Sequence, residues 1–339
     1  MQVFENKEKK YIVSNNYNCI LDKKTNSFLR CGKNIEDVPL SGALEYVDIE
    51  LSTIYNNTDD YEFMFKKEAT NKKYMKFNTF RKIINILPKS LNHINFITDP
   101  ECKTNPDIWK ILYYCKLKSI TSSITVDNID RYKSEKISSL CKSVSVNLHL
   151  NKNICYDTIK RLNEFGIKPN LNILVSKDTH HIIIRTLYDY KHDERLKNIN
   201  SIFFIGLKNN ENWRFLKKLD KKEFKSIIND MLDKGIPFGL DNYLSFYFIS
   251  SIKNKLMYYY DMSFNPCEAL TFHAYIDVNG YIFPCKYYTP NTQQFLGFNL
   301  FDKRGFDKIW SHEKFVKIKE NFINCNENGI RFCPLFEKY

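Results

Sequence analysis

The chain has 339 residues, enough to bury one large α/β core and a smaller appendage, and its 43% hydrophobic and 15% aromatic content suits a globular protein. No apolar run reaches the roughly 18 residues of a membrane span, and the charged start MQVFENKEKKYIV lacks the apolar core of a secretion signal, so a cytoplasmic protein with no membrane partner is expected. The net charge of +12 permits attraction to nucleic acid or another polyanion, although the Lys excess is spread along the chain.

Residues 1–44 hold two strand-like pieces, YIVSNNYNCILD and NSFLRCG, and read as a small hairpin or cap without chemistry of its own. EYVDIELS, starting at Glu45, alternates and is β-branched, as expected of a first barrel strand. A strand–helix alternation then repeats. Phe80, Ile83, Ile84 and Leu87 have helical spacing, with Asn78 placed to cap the start, and HINFIT follows as a strand. Asn105-Pro106 opens the next helix, whose expected buried stripe is Trp109, Leu112, Tyr113 and the stem of Lys116, with the proline in a first turn. Next come the strand SITSSITV, the helix KSEKISSLC, the strand SVSVNLHL and a helix from Cys155 to Phe165 capped at Gly166. PNLNILVS, a helix from Thr179 towards Tyr190, NSIFFIGLK, a helix at 222–233 with Phe224, Ile227, Ile228 and Met231 inward, and GIPFGL complete the series. Six or seven such units, with connections too long for hairpins, predict a parallel sheet curled into a full or partial (βα) barrel. Chemistry in a barrel lies at the C-terminal strand ends, so a site is expected in the loops after the first three strands. The pattern changes after residue 260, and a domain boundary is set near 255.

Ten cysteines in an intracellular chain read as free thiols or metal ligands rather than disulfides. Cys19, Cys31, Cys102, Cys115, Cys141 and Cys155 have no ligand spacing; Cys115 and Cys141 read as small core residues. Cys267 and Cys285 differ. They bracket an alternating strand, a turn at Asn279-Gly280 and a second short strand, so two thiolates meet at the base of a hairpin, a geometry that suits a metal or an iron–sulfur cluster.

That hairpin, NPCEALTFHAYIDVNGYIFPC, resembles the opening of the cysteine-rich SPASM/twitch-type domain that follows the barrel in many radical S-adenosylmethionine (SAM) proteins, in a branch often carried by bacteriophages. EYVDIELST, YMKFNTF, NPDIWKILYYC, SITSSITVDNID, ICYDTIKRLNEFGIKPNLNI, DERLKNINSIFFIGLK, GFNLFDKRGFDKIWSHEKF and FCPLF extend the resemblance from residue 45 to 336 in the family's order. It implies an α/β protein: an N-terminal cap at 1–44, a partial (βα)6 TIM-like barrel of radical SAM type at 45–255, and a small α+β SPASM/twitch-like domain at 256–339. It also implies a bacterial or phage-infected cell as the location. Cys267, Cys285 and Cys333 match family ligands and Cys325 completes four, enough for one auxiliary [4Fe–4S] cluster or a tetrahedral Zn²⁺; Phe336 stands where the closing cysteine belongs.

The family further requires three cysteines after the first strand, holding a [4Fe–4S] cluster whose open iron binds SAM. Residues 52–75, STIYNNTDDYEFMFKKEATNKKYM, contain none: Tyr55, Tyr61 and Met64 occupy those positions, and phenol or thioether does not replace thiolate. The segment that binds the SAM amino group, often GGEP, is Thr98-Asp99-Pro100-Glu101, without a glycine for close backbone approach, and Thr125 and Asp127 occupy the polar turn after the third strand. The resemblance implies that these six are remnants of a SAM site.

The expectation is therefore a degenerate member, a pseudoenzyme that does not bind SAM and acts as a binding or scaffold protein for a partner protein, a peptide or nucleic acid. The alternative is an active SAM-dependent or iron–sulfur enzyme modifying a peptide, RNA or small metabolite, either with a cluster built by other thiols such as Cys102 or with SAM as a methyl or aminocarboxypropyl donor. Other features have plain readings: His180-His181 lacks a nearby glutamate, His149 ends a strand, Lys66 and Lys67 are solvated, and Tyr258–Tyr260 and Tyr287-Tyr288 are interface aromatics or stacking platforms.

Overall fold

The computed structural model describes residues 1–14, 17–24, 28–32, 43–54, 72–148, 151–207, 216–245, 267–288, 295–324, 326–327, 330–331, 333 and 335. Tyr55, Tyr61, Met64, Lys66, Lys67, His149, Tyr258–Tyr260 and Cys325 lie outside the described residues.

The N-terminal segment is a four-stranded antiparallel meander of β1 (Gln2–Glu5), β2 (Lys9–Ser14), β3 (Tyr17–Asp22) and β4 (Phe28–Cys31). YIVSNNYNCILD is thus two strands rather than one, with Ser14 opposite Tyr17. Two asparagines between alternating runs favour such a tight connection. The inner face, with Ile12, Tyr17 and Cys19, packs on Phe272 beside Tyr46.

Seven parallel strands follow in chain order across one sheet: β5 (Tyr46–Glu50), β6 (His93–Ile97), β7 (Thr121–Val126), β8 (Ser143–Asn147), β9 (Asn170–Val175), β10 (Ser201–Gly206) and β11 (Phe238–Leu240). Between them run α1 (Phe77–Ile86), α2 (Ile108–Leu117), α3 (Arg131–Leu140), α4 (Lys152–Glu164), α5 (His180–His192) and α6 (Lys221–Asp233). A run of same-handed crossovers makes neighbours of consecutive strands. On the far side of β5 the sheet continues with β12 (His273–Ile276), parallel to β5, then β13 (Tyr281–Phe283) and β14 (Phe298–Asn299), both antiparallel. The helices α7 (Phe306–Trp310) and α8 (Glu313–Asn324) and the small hairpin of β15 (Asn326–Glu327) and β16 (Ile330–Arg331) complete the described elements. One apolar core runs from Val47 and Ile94 through Ile282, Phe298 and Phe315, so the sheet and its core both cross the composition change near residue 255.

Local expectations hold in most places and fail in two. α6 buries Phe224, Ile227, Ile228 and Met231 and opens on a capping box of Asp220 and Glu223. Asn78 is not a cap: the helix starts at Phe77, whose N–H donates to Asp107 Oδ2 at 3.0 Å, so a tertiary carboxylate replaces the local one. In α2 the buried stripe is Ile108, Ile111, Leu112 and Cys115, while Tyr113 is exposed and Pro106 precedes the N-cap Asp107. Two apolar stripes compete on this helix, and the aliphatic one fits the flat space over the sheet. Among the described residues no helix is long and apolar enough to cross a membrane.

Gly297 has a φ of +74°, and a Cβ there would lie 2.6 Å from the ring of Phe283, which is buried. Gly297→Ala therefore adds overpacking, about 1–3 kcal/mol, to about 1–2 kcal/mol of left-handed strain. Gly166→Ala, at φ +82° with nothing within 4 Å, suffers the strain alone. Urea denaturation of the two variants should rank them in that order.

Candidate functional site

Alternation along the barrel strands sends Val47, Ile49, Ile94, Phe96, Ile124, Val144 and Val146 outward under the helices. The opposite face of the same strands is polar. Register puts His273, Tyr46, His93 and Thr121 in one row and Tyr275, Asp48, Asn95 and Ser123 in the next. These side chains form a continuous chain. His93 Nε2 lies 2.8 Å from Ser123 Oγ, Ser123 Oγ donates to Asn95 Oδ1 at 3.1 Å, and Asn95 Nδ2 donates to Asp48 Oδ1 at 2.9 Å. Because the Ser123 hydrogen is committed to Asn95, His93 carries its hydrogen on Nε2. From the other side His273 Nε2 stands 3.3 Å from Asp48 Oδ2, and its ring lies on that of Tyr46 with centroids 4.5 Å apart.

Every donor in this chain runs towards Asp48. Burial alone would raise its carboxyl, but His273, Lys286 and Asn95 outweigh that and lower it to about 2. Burial lowers His93, partly opposed by Asp48, which keeps that imidazole neutral. Burial raises the Tyr46 phenol, and so does its hydrogen bond to Glu268. Glu268 and Glu45 are in turn held by Arg30, whose guanidinium is nearly buried with its Cζ 4.1 Å from the Phe272 ring centroid.

At the C-terminal strand ends, the three expected loops meet. Asp99 accepts from the backbone N–H of Lys103 at 2.9 Å and of Thr104 at 2.8 Å, and from the Thr104 hydroxyl at 2.6 Å, which itself lies 2.8 Å from Ser52 Oγ. Asp99 is thus committed to fixing its own turn. Pro100 O accepts from the Asp127 N–H at 3.1 Å, Glu101 pairs with Lys103, and Thr125 is half-buried on the polar face one step beyond Ser123. Thr98 is buried, and its hydroxyl has no hydrogen-bond partner among the described residues. Cys102 is buried within the Asp99 turn, at φ +54°, and burial raises its thiol further from the reactive form. Ser52 forms an isolated antiparallel bridge with Tyr74.

Cys267 and Cys285 flank the hairpin of β12 and β13. Burial raises the Cys267 thiol, and the neighbouring Cys333 and Cys285 raise it further. Among the described residues no three His, Cys, Asp or Glu side chains are already set to hold a metal ion.

The comparisons follow this geometry. Residues 267–334 match the SPASM family, an iron–sulfur cluster-binding domain. The structure of Streptococcus suis SuiB bound to S-adenosylmethionine superposes with a TM-score of 0.71 at 13% identity, covering 93% of this chain and 89% of that one. SuiB bound to its precursor peptide SuiA gives 0.70 at 14% identity over 94% and 90%. The native anSMEcpe with AdoMet and the Cp18Cys peptide gives 0.57 at 13% identity over 81% and 82%. No protein of curated function matches the chain by sequence. Residues 267–334 are thus a SPASM-type domain, and the chain has the fold of the SuiB structures.

These findings correct the expectation of a pseudoenzyme scaffold. The architectures that match nearly the whole chain are those of SAM-bound and peptide-bound proteins, and the alternative of an active enzyme fits them better. The SuiB structures hold SAM or a precursor peptide and the anSMEcpe structure holds AdoMet with a peptide, so these neighbours lend no support to the expected nucleic-acid partner and run against the expectation that SAM is not bound.

Sequence reasoning looked for chemistry in the loops and missed Tyr46, Asp48, His93, Asn95, Ser123 and His273. The signal was present: polar residues recur at every second position of YVDIE, HINFI, TSSITV and SVSVN. Asp48 is lowered in the fold, so its stabilisation is present above its unfolded value near 4 and is lost as pH falls towards 2. Asp48→Asn should cost about 2 kcal/mol at neutral pH, and urea denaturation at pH 7, 5 and 3 should find the gap from wild type closing at the acid end.

Proposed function

We propose that the protein is an enzyme that binds SAM at the C-terminal end of its barrel and modifies a peptide lying against the polar inner face. The observation that carries this reading is the Asp48–His273 pair with its Asn95–Ser123–His93 extension. Burying a charged pair and a polar chain inside a barrel costs stability relative to an apolar filling, and such departures from core packing concentrate at working sites.

SAM fits the mouth on one feature, the buried Thr98 hydroxyl at the end of β6 that lacks a partner among the described residues. Thr125 lies near the end of the next strand, β7, and Asp127 just after it. An iron–sulfur cluster in the barrel does not fit, because residues 51–75 carry no thiol and Cys102 is locked in its turn, so no step is assigned to one. At the C-terminal end the donors fit: Cys267, Cys285 and Cys333, with Cys325, would hold a [4Fe–4S] cluster or Zn²⁺, whose positive charge would relieve the mutual repulsion of the thiolates. Such a centre would supply electron transfer if iron–sulfur and structural support if zinc. The proposal keeps the division into cap (1–44), barrel (45–255) and SPASM-type domain (256–339), with β12 as the strand shared between the last two.

Protein purified without oxygen should contain about four irons with acid-labile sulfide per chain, lost in the Cys267→Ser and Cys285→Ser variants. It should bind SAM in equilibrium dialysis, with affinity falling roughly tenfold in Thr98→Val, the loss of about one hydrogen bond. Absence of SAM binding to the metal-loaded protein would overturn the reading.

A further inference from the structure

Outside the barrel, the seam between α1 and the turn that follows β14 opens as a groove of about 580 Å³, within the size range of ligand sites. Both of its walls are fixed. α1 buries Phe80 and Ile83 on the sheet, and Thr79, Lys82 and Ile86 line the groove from the same helix. On the other side the Leu300 N–H donates to Gly280 O at 3.0 Å, and the Phe301 ring fills the space where a Cβ on Gly280 would lie, 2.6 Å away. That close approach, open to glycine alone, seats the ring at the rim, where Phe301 is still 40% exposed.

The charge in the groove has one sign. α1 carries Arg81 and Lys82 and no carboxylate, and Lys303 lines the opposite wall. Asp302 is taken up by Arg304, whose Nη2 donates to its Oδ2 at 2.8 Å. Among the described residues neither Lys82 nor Lys303 has a carboxylate partner, and the Thr79 hydroxyl and Asn85 amide have no hydrogen-bond partner. Beneath these polar groups lie Ile86, Leu300 and Phe301. Seven residues from Thr79 to Ile86 span about 10 Å of helix, the length of about three residues of extended chain.

We propose that this groove docks an extended acidic and apolar segment of a polypeptide partner, with its carboxylate between Lys82 and Lys303 and its apolar side chains on Ile86 and Phe301. The inference goes beyond the SAM-enzyme reading and needs neither SAM nor the C-terminal metal. Side chains at alternate positions of an extended chain share a face, so a carboxylate flanked two residues away by aliphatic groups presents both chemistries at once. A phosphate backbone would satisfy the lysines and leave the apolar floor uncovered. An uncharged apolar segment would strip water from two ammonium groups and return nothing to them.

The test is fluorescence anisotropy of an end-capped, rhodamine-labelled peptide, Leu-Ser-Glu-Ser-Leu, titrated with the full chain purified without oxygen and with no SAM present. Saturable binding is expected. It should weaken about tenfold or more when glutamine replaces the glutamate, the loss of a charge-assisted hydrogen bond, or when serine replaces both leucines. Lys82→Glu and Lys303→Glu should each weaken it as much, whereas Lys142→Glu, the same charge change at an exposed site elsewhere, should not. Carbodiimide should couple the bound carboxylate to Lys82 or Lys303, and Asn85→Trp, at an exposed position, should block binding. Equal loss in Lys142→Glu, or coupling spread over many lysines, would mean diffuse attraction to a chain of charge +12 and would overturn the inference. Failure to saturate at millimolar protein would overturn it as well. Displacement of the peptide from wild type by decanoate or by a single-stranded oligonucleotide would assign the groove to that ligand instead. A dimer in sedimentation that Asn85→Trp dissociates would assign it to a second copy. Each of these results leaves the SAM-enzyme reading untouched, because SAM takes no part in the measurement.

Discussion

The pairing of β12 with β5 is the contact on which the rest depends. Four residues of each strand run in parallel register, from His273 against Tyr46 to Ile276 against Ile49. That pairing carries the C-terminal segment onto the barrel edge and sets His273 beside Asp48. It also fixes where the thiols go, because Cys267 precedes β12 and Cys285 follows β13. The turn between the two strands is tied back to the barrel as well, with the Val278 N–H donating to Glu50 Oε2 at 3.3 Å. One hydrogen-bonded strand pair therefore sets the geometry of both the inner polar face and the thiol group.

The N-terminal sheet acts on the same junction from below. Arg30 on β4 reaches Glu45, just before β5, and Glu268, just after Cys267. A buried cation shared by two carboxylates contributes little net stability compared with apolar packing, but it tolerates few other arrangements of its partners. The three segments that meet there are far apart in the chain, so the arginine specifies how they come together. Tyr46 continues the link inward, with its hydroxyl on Glu268 and its ring on His273. The segment read from sequence as a cap without chemistry is thus in contact with the residues that support the site.

Much of the architecture was legible because period and spacing act locally. Alternating or continuous apolar runs gave the seven parallel strands, the stripe of Phe224, Ile227, Ile228 and Met231 gave α6, and Asn279-Gly280 gave the hairpin turn. Errors arose where a distant group took over a local task, as when Asp107 replaced Asn78 at the start of α1, or where two apolar stripes competed, as in α2. Asp99, read from sequence as part of a SAM-site remnant, proved to be the anchor of its own turn.

The sequence by itself determined the βα series, the thiol hairpin and the absence of cysteine after the first strand, since each is a matter of residue type at short spacing. Only the tertiary structure decided that Asp48, Asn95, Ser123, His93 and His273 form one chain. They come from four strands as much as 225 positions apart in the numbering, between His273 and Asp48. Strand register, a hydrogen-bonding property of whole neighbouring segments, brings them into line.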